Sequence, residues 1–302
     1  MCIRDRKKVV GRYGSSSGLM QAAKVKGDLF RWIDLGHDGI AELISVYKGA
    51  VRIYRYNPAG AQFLLTQTLH PPGLGKTLSS ISVGDVDNDL DPDVFISAPG
   101  GNAMLLDRGG GLYPIKPAKI GLPARGAVSL SFIDYDNDGR LDAHATPGGL
   151  FHGTADGDFE RTGELTLGTK AQWAASSWFD LEGDGDRDLV ALVKRHKGVV
   201  VSRHLYENRT RSGHWLALSL QGPAGNLEAI GAHVVVTTSK GRQAGWVGQS
   251  EGSRHSSGLY DLYFGLGQAG HAKSVKVFWP NGTVTDLQHV VADQRLTVTP
   301  DG

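Results

Sequence analysis

The chain has a single cysteine, Cys2, in 302 residues. An intrachain disulfide and a multi-thiolate metal site are therefore excluded. No apolar run approaches the ~20 residues that span a bilayer as a helix. No secretory leader is visible either, because Met1-Cys2-Ile3-Arg4-Asp5-Arg6-Lys7-Lys8 is charged and no apolar stretch follows it. That opening reads as a junction artefact, with the expectation that the native N-terminus and upstream sequence are missing. An excess of one charge is also lacking: 32 Lys and Arg stand against 31 Asp and Glu, for a net charge of +1. The composition thus gives no argument for nucleic acid or an acidic membrane as partner. Eleven histidines are dispersed with no His-x-x-x-His pair of the zinc-protease kind.

What the chain has in excess is glycine, 42 residues, about twice the usual share and not in a three-residue period. Apolar content of 40 % and charged content of 21 % are ordinary for a globular protein. Turn-rich all-β structure follows, and no segment sustains the 3.6-residue apolar period of a long helix.

Four acidic nine-residue clusters recur: Asp34 to Glu42, Asp85 to Asp93, Asp134 to Asp142 and Asp180 to Asp188. Their first residues are 51, 49 and 46 apart. Short β-prone runs flank each one, such as Leu29–Ile33 before the first and Leu189–Val193 after the fourth, so each cluster links two strands. A second, polar turn follows in each repeat: around Asn57–Gly60, Asp107–Gly111, Asp156-Gly157 and Asn208. Two hairpins per repeat make four strands, the unit of a β-propeller blade. Four blades sit at the lower edge of closed rings, so an incomplete ring is expected. The chain divides into blades over 1–210 and a different β-rich segment over 211–302.

The third cluster is the most regular. Asp134, Asp136, Asp138 and Asp142 occupy positions 1, 3, 5 and 9, with Gly139 at position 6. Alternate carboxylates of a tight loop can converge on one point, and hard oxygen donors of this kind favour Ca²⁺, with Mg²⁺ second. The second cluster offers Asp85, Asp87, Asp89 and Asp93 but has Leu90 in place of the glycine. The fourth offers Asp180, Glu182, Asp184 and Asp188. The first offers Asp34, Asp38 and Glu42 and lacks an acid at position 3, which makes it the weakest candidate. One Ca²⁺ per loop, up to four, is the expectation. An EF-hand is excluded because position 12 is Ser45, Ile96, Ala145 or Ala191 rather than a bidentate Glu. Asp, Asn and Gly also form turns without any ion.

These loops resemble FG-GAP or VCBS repeats, over about residues 28 to 208. From His214 the pattern changes. Ala229-Ile230-Gly231-Ala232, Phe264-Gly265-Leu266-Gly267 and Trp279-Pro280-Asn281-Gly282, in this order, resemble the ASPIC/UnbV domain of cartilage acidic protein-like chains and their bacterial relatives. Gly225–Glu228 and Glu251–His255 depart from that domain's pattern. The resemblance implies an exported protein, extracellular or in the cell envelope, with calcium-binding repeats and an adhesive or ligand-binding role toward a protein or carbohydrate.

No catalysis is expected; the alternative is a calcium-using enzyme acting on polysaccharides. Gly14-Ser15-Ser16-Ser17-Gly18 and Gly248-Gln249-Ser250-Glu251-Gly252 carry the letters of a nucleophile elbow, but not its strand–turn–helix context. Gly109–Gly111 and Pro71–Gly73 read as turns. His196 and His204 read as strand residues, and Arg203, Arg209, Arg211 and Arg254 as a solvated face.

Overall fold

A computed structural model describes residues 27–301 except 58, 60, 61, 147, 163–172, 195–199, 211 and 250–259. The Met1–Lys8 opening, the Gly14–Gly18 run, His196, Arg211 and the Glu251–His255 segment with Arg254 lie outside the described residues.

The fold is all-β, and its first part is a succession of blades. Blade 1 is β1 (Leu29–Ile33), β2 (Glu42–Tyr47), β3 (Ala50–Asn57) and β4 (Gln62–Leu69), paired antiparallel in sequence order. Blade 2 repeats this with β5 (Ser80–Gly84), β6 (Asp93–Ser97), β7 (Ala103–Asp107) and β8 (Leu112–Ile115). Blade 3 is β9 (Ser129–Ile133), β10 (Asp142–Thr146), β11 (Gly149–Gly153) and β12 (Phe159–Arg161). Blade 4 has three strands among the described residues, β13 (Trp173–Phe179), β14 (Asp188–Lys194) and β15 (Val200–Tyr206). Every acidic cluster joins the first strand of a blade to the second.

Blades hold together through the faces they press against each other. Ile44, Val46, Val51 and Ile53 of blade 1 share a core with Val83, Val94, Ile96 and Leu105 of blade 2. Phe95 and Met104 from the other face of blade 2 meet Leu130, Phe132 and Ala143 of blade 3. Tyr135 and Leu150 of blade 3 meet Trp178 and Leu189 of blade 4. Because both faces of blade 2 are covered, β5, β6 and β7 are buried along their whole length. β7 accordingly reads as a nearly continuous apolar run, whereas β5 alternates two buried serines with Ile81 and Val83.

The sequence reading expects a second hairpin in blade 4 from Leu205 to Trp215 around Asn208. The structure corrects this. The chain leaves blade 4 after Tyr206, and the next strand, β16 (His214–Leu220), pairs with β19 (Leu262–Gly267) and in parallel with β22 (Gln294–Val298). Asn208 does form a tight turn, accepting the N–H and the hydroxyl of Thr210. The turn redirects the chain into a new unit instead of folding it back on β15.

That unit is a two-sheet sandwich. Its second sheet orders as β18-β17-β20-β21, with β17 (His233–Thr237), β18 (Arg242–Trp246), β20 (His271–Phe278) and β21 (Val284–Val291). Leu216, Leu218 and Phe264 of one sheet pack on Val234, Val236, Val275 and Val277 of the other. Trp279 closes the core, its indole N–H donating to Thr285.

Candidate metal centres beneath the C-terminal sandwich

The four acidic loops share one wiring. The position-1 carboxylate accepts the N–H groups of positions 5 and 6: Asp34 from Asp38 and Gly39, Asp85 from Asp89 and Leu90, Asp134 from Asp138 and Gly139, Asp180 from Asp184 and Gly185. The position-5 acids Asp38, Asp89, Asp138 and Asp184 each accept from position 7. The position-9 acids Glu42, Asp93, Asp142 and Asp188 reach back to the N–H of position 2. Asp93, Asp142 and Asp188 also take an N–H from the end of the third strand, from Asp107, Gly153 and Asn208. The position-5 acids and Glu42 build the turn with one oxygen, whereas the position-1 acids and Asp93, Asp142 and Asp188 use both, each oxygen still keeping a lone pair for something else. Position 3 carries the lightest duty: Asp136 accepts one long bond, 3.3 Å, from Asp138.

The bend places position 6 in left-handed space, with φ of 80° at Gly39, 79° at Leu90, 93° at Gly139 and 87° at Gly185. Leu90 occupies it against the steric preference of an L-residue. Leu90→Gly is expected to stabilise the protein by about 1 kcal/mol, read as a higher urea midpoint at unchanged slope.

The loops differ in what they bring together. Loop 2 gathers Asp85, Asp87 and Asp93, and loop 3 gathers Asp134, Asp136 and Asp138, with ligand atoms mutually within 4.8 Å. A further set at the same separation joins Asp136 and Asp142 to His152 of β11. Among the described residues, the acids of loops 1 and 4 form no such group.

In those two loops an arginine stands among the acids. Arg55 of β3 pairs with Asp38 and lies 3.2 Å from Glu42, its guanidinium on the side of Gly36, where the position-3 acid is missing. Arg295 of β22 lies 4.0 Å from the Asp180 carboxylate, which also accepts the Tyr263 hydroxyl at 3.4 Å. Elsewhere in loop 4, Glu182 is held above its ordinary range by desolvation and by Asp188 beside it, and Asp184 is exposed. A guanidinium supplies positive charge and five donors in a planar fork, so it satisfies carboxylates without any ion.

Loop 2 has the weakest internal compensation, while loop 3 holds an arginine and a histidine beside its acids. Asp138 pairs with Arg140, and His152 Nδ1 lies 3.4 Å from Asp136 and 3.2 Å from Asp142. In loop 2, Asp91 faces His37 of loop 1 at 3.3 Å, but no cation touches Asp85, Asp87 or Asp93 among the described contacts. The carboxyls respond accordingly. Burial, then repulsion from Asp89, pushes Asp85 up to about 8. Burial also drives Asp93 to about 9, and burial with repulsion from Asp134 drives Asp142 to about 9. Asp134 is raised well above the carboxylate range by burial and by Asp138 and Asp136. Like charges held this close favour protonation unless a cation offsets them. Oxygen-rich, turn-built and charge-deficient, both clusters have the donor set of a divalent-cation site.

The C-terminal sandwich covers this loop face. Gly265 packs on loop 3 so tightly that a Cβ there would lie 2.1 Å from the Asp134 carboxylate and 2.4 Å from the backbone of Asn137. Gly267 donates its N–H to the Asn137 carbonyl at 2.9 Å. Trp215 lies over Gly185 of loop 4, and the Arg187 guanidinium stacks on the Tyr263 ring at 3.9 Å. On the blade 1 side Arg31 donates to Gln249, and Gln249 donates back to the Trp32 carbonyl. His37 meets the rings of His233 and Trp246.

Arg55, His152 and Arg295 escape the sequence reading because they lie outside the nine-residue clusters. Arg55 and His152 come from third strands, 13 and 10 residues after the last acid of their loops. A charged residue near the loop-facing end of the third strand is the signal that could have found the first two. Nothing in the sequence announces Arg295. Gly109–Gly111 forms the β7–β8 turn, where all three N–H groups meet carboxylates of Asp91 or Asp107. His204 stacks on Tyr206 of its own strand.

Blades of four strands with acidic first loops, roofed by a β-sandwich, define a propeller-repeat protein with a docked C-terminal domain. Residues 34–96 and 85–145 match the FG-GAP-like repeat family, and residues 222–302 match the ASPIC and UnbV family. The chain is an FG-GAP-repeat protein with a C-terminal ASPIC/UnbV domain. No curated protein matches it. Similar solved structures include an Agrocybe aegerita lectin that recognises non-reducing terminal N-acetylglucosamine, at 19 % identity and TM-score 0.40, covering 59 % of this chain and 52 % of the lectin. Another is the V. cholerae biofilm matrix protein Bap1, at 13 % identity and TM-score 0.39, covering 86 % of this chain and 48 % of that protein. The chain thus spans about half the length of each. Among the described residues no helix is long and apolar enough to cross a membrane.

Proposed function

We propose that this chain is an exported, non-catalytic ligand-binding or adhesion module in which Ca²⁺ at loops 2 and 3 stiffens the blades and the surface on which the C-terminal sandwich rests. The observation that carries this reading is the pair of convergent carboxylate groups, Asp85/Asp87/Asp93 and Asp134/Asp136/Asp138. Among the described residues the acids of loops 1 and 4 form no such group and have Arg55 and Arg295 beside them, so two ions are assigned to the chain rather than four. Ca²⁺ ranks above Mg²⁺ because it accepts irregular, carboxylate-rich cages, whereas Mg²⁺ holds its water and demands octahedral order.

The pH dependence tests this. In chelator the folded protein keeps protons on Asp85, Asp93 and Asp142 up to about 8, 9 and 9, against 3.8 for the ordinary carboxyl. The folded state then binds more protons than the unfolded one throughout that window, so stability falls as pH rises. The stabilisation is fully present below about pH 4 and is lost as pH passes the folded values. Ca²⁺ replaces those protons and offsets the fall. The melting temperature is expected to drop between pH 5 and pH 8 in chelator and to stay level in excess calcium. Identical slopes with and without calcium would sink the reading.

A further inference from the structure

Loop 3 carries a second donor set that overlaps the carboxylate group assigned to calcium. His152 of β11 turns its Nδ1 toward Asp136 Oδ2 at 3.4 Å and Asp142 Oδ1 at 3.2 Å, and the three side chains form a convergent group. That nitrogen is shielded from solvent and hydrogen-bonded to neither acid. Buried polar atoms are nearly always satisfied, so a ring nitrogen aimed between two carboxylates calls for something held by all three.

The spacing identifies the class of ion. Donors placed tetrahedrally about 2.0–2.1 Å from Zn²⁺ stand about 3.3–3.4 Å from one another, close to both nitrogen–oxygen separations here. Imidazole nitrogen suits zinc and its first-row neighbours, whereas calcium takes oxygen. The supports of the donors are in place. The one backbone bond to Asp136 falls on Oδ1, which leaves Oδ2 for an ion. Asp142 is oriented by the N–H groups of Tyr135 and Gly153. Asp138 Oδ2 lies 4.0 Å from His152 Nε2, so a carboxylate stands toward the ring nitrogen that keeps its proton, as is usual for a ligating histidine. Asp138 itself is engaged by Arg140. The His152 side chain is 31 % exposed, which gives an ion its entry and water access to a fourth position.

The other loops lack this nitrogen. The third-strand N–H that meets the position-9 acid comes from Asp107, Gly153 and Asn208 in blades 2, 3 and 4. The residue before it is Leu106, His152 and Glu207 respectively. We propose that Asp136, Asp142 and His152 form a Zn²⁺ site completed by water, and that Zn²⁺ and Ca²⁺ compete at loop 3 because both donor sets use Asp136. This deepens the metal reading above and rests on loop 3 as a cation site. The rival is an imidazolium that merely balances the two acids, as Arg55 does in loop 1.

The full chain, chelated and then desalted, is titrated by calorimetry with Zn²⁺ and with Ca²⁺, and by absorption with Co²⁺ as a spectroscopic stand-in for zinc. The tightest Zn²⁺ is expected to bind at least tenfold more tightly than Ca²⁺ and to lower the calcium stoichiometry from two to one. Co²⁺ should show the intense visible bands of a four-coordinate ion. His152→Asn, which replaces the ring nitrogen by an amide, should weaken Zn²⁺ tenfold or more and remove those bands, with Ca²⁺ affinity held within twofold. Should that variant fold poorly, His152→Ala carries the same test. Zn²⁺ binding that neither variant changes is adventitious and overturns the site, as does Zn²⁺ no tighter than Ca²⁺ or an equal loss of both ions. Tighter binding of both ions in the variants overturns it in favour of the imidazolium. A calcium-induced rise in the parent's melting temperature alongside any of these results sinks the zinc site alone; absence of that rise sinks the calcium-stiffened module beneath it.

Discussion

Replacing Asp87 and Asp136 together by alanine is expected to abolish the thermal response to calcium while leaving the chelated protein as stable as its parent, or more so. Both residues occupy position 3, and both belong to the convergent groups of loops 2 and 3. Their structural duty is small compared with that of Asp85 or Asp142, each of which accepts backbone N–H groups through both oxygens. Burial and the neighbouring Asp89 and Asp138 hold their carboxyls above the ordinary range, so without an ion they are a net burden on the fold. Removing them relieves repulsion in chelator and removes a ligand in calcium. By mass action, a ligand at 100 times its Kd stabilises by about 2.7 kcal/mol per site. Two sites give about 5 kcal/mol, or roughly 10 °C or more for a chain of this size. Differential scanning fluorimetry should show that rise in the parent and none in the double variant. A variant that loses stability equally in chelator and calcium would show the acids to be turn formers only.

The second large effect concerns the seat of the sandwich. Gly265→Ala places a methyl against the Asp134 carboxylate and the Asn137 backbone, in space that is already filled. The obstruction is largely main chain, so no rotamer change relieves it, and the sandwich must lift from loop 3. The loss of docking should cost of order 2–4 kcal/mol, the range of severe overpacking. Lifting also breaks the Gly267 to Asn137 bond and the Tyr263 stack on Arg187. Limited proteolysis should then cut the connection at residues 207–213, which resists in the parent, while both parts keep their β circular dichroism. Equal resistance in parent and variant would mean that the close approach at Gly265 does not hold the two units together.

Much of the architecture was legible because the blade repeats its local chemistry. The run Leu29–Ile33 reads as a strand and is one, and the Asp107–Gly111 turn joins β7 to β8 as its residues require. Spacing sufficed for these, since a propeller strand is held by its immediate neighbours in the chain. The turn at Asn208 shows the limit. Its side chain caps a tight bend equally well whether the chain folds back or departs, and only the pairing of β16 with β19 and β22 decides which. The unequal loops show it again. Gly36 marks loop 1 as short of an acid, but that Arg55 fills the gap depends on the β2–β3 register. Loop 4 looks complete in the sequence, yet Arg295, 115 residues beyond Asp180, reaches its first acid. Charge balance in a buried loop is settled by tertiary neighbours, and no nine-residue window contains them.

Calcium stoichiometry, measured by isothermal calorimetry on chelated and then desalted protein near pH 7.5, tests the central claim most directly. The account predicts two ions per chain, with protons released on binding because each ion displaces them from raised carboxyls. Four ions would show that Arg55 and Arg295 do not stand in for a cation. No binding would contradict the account altogether.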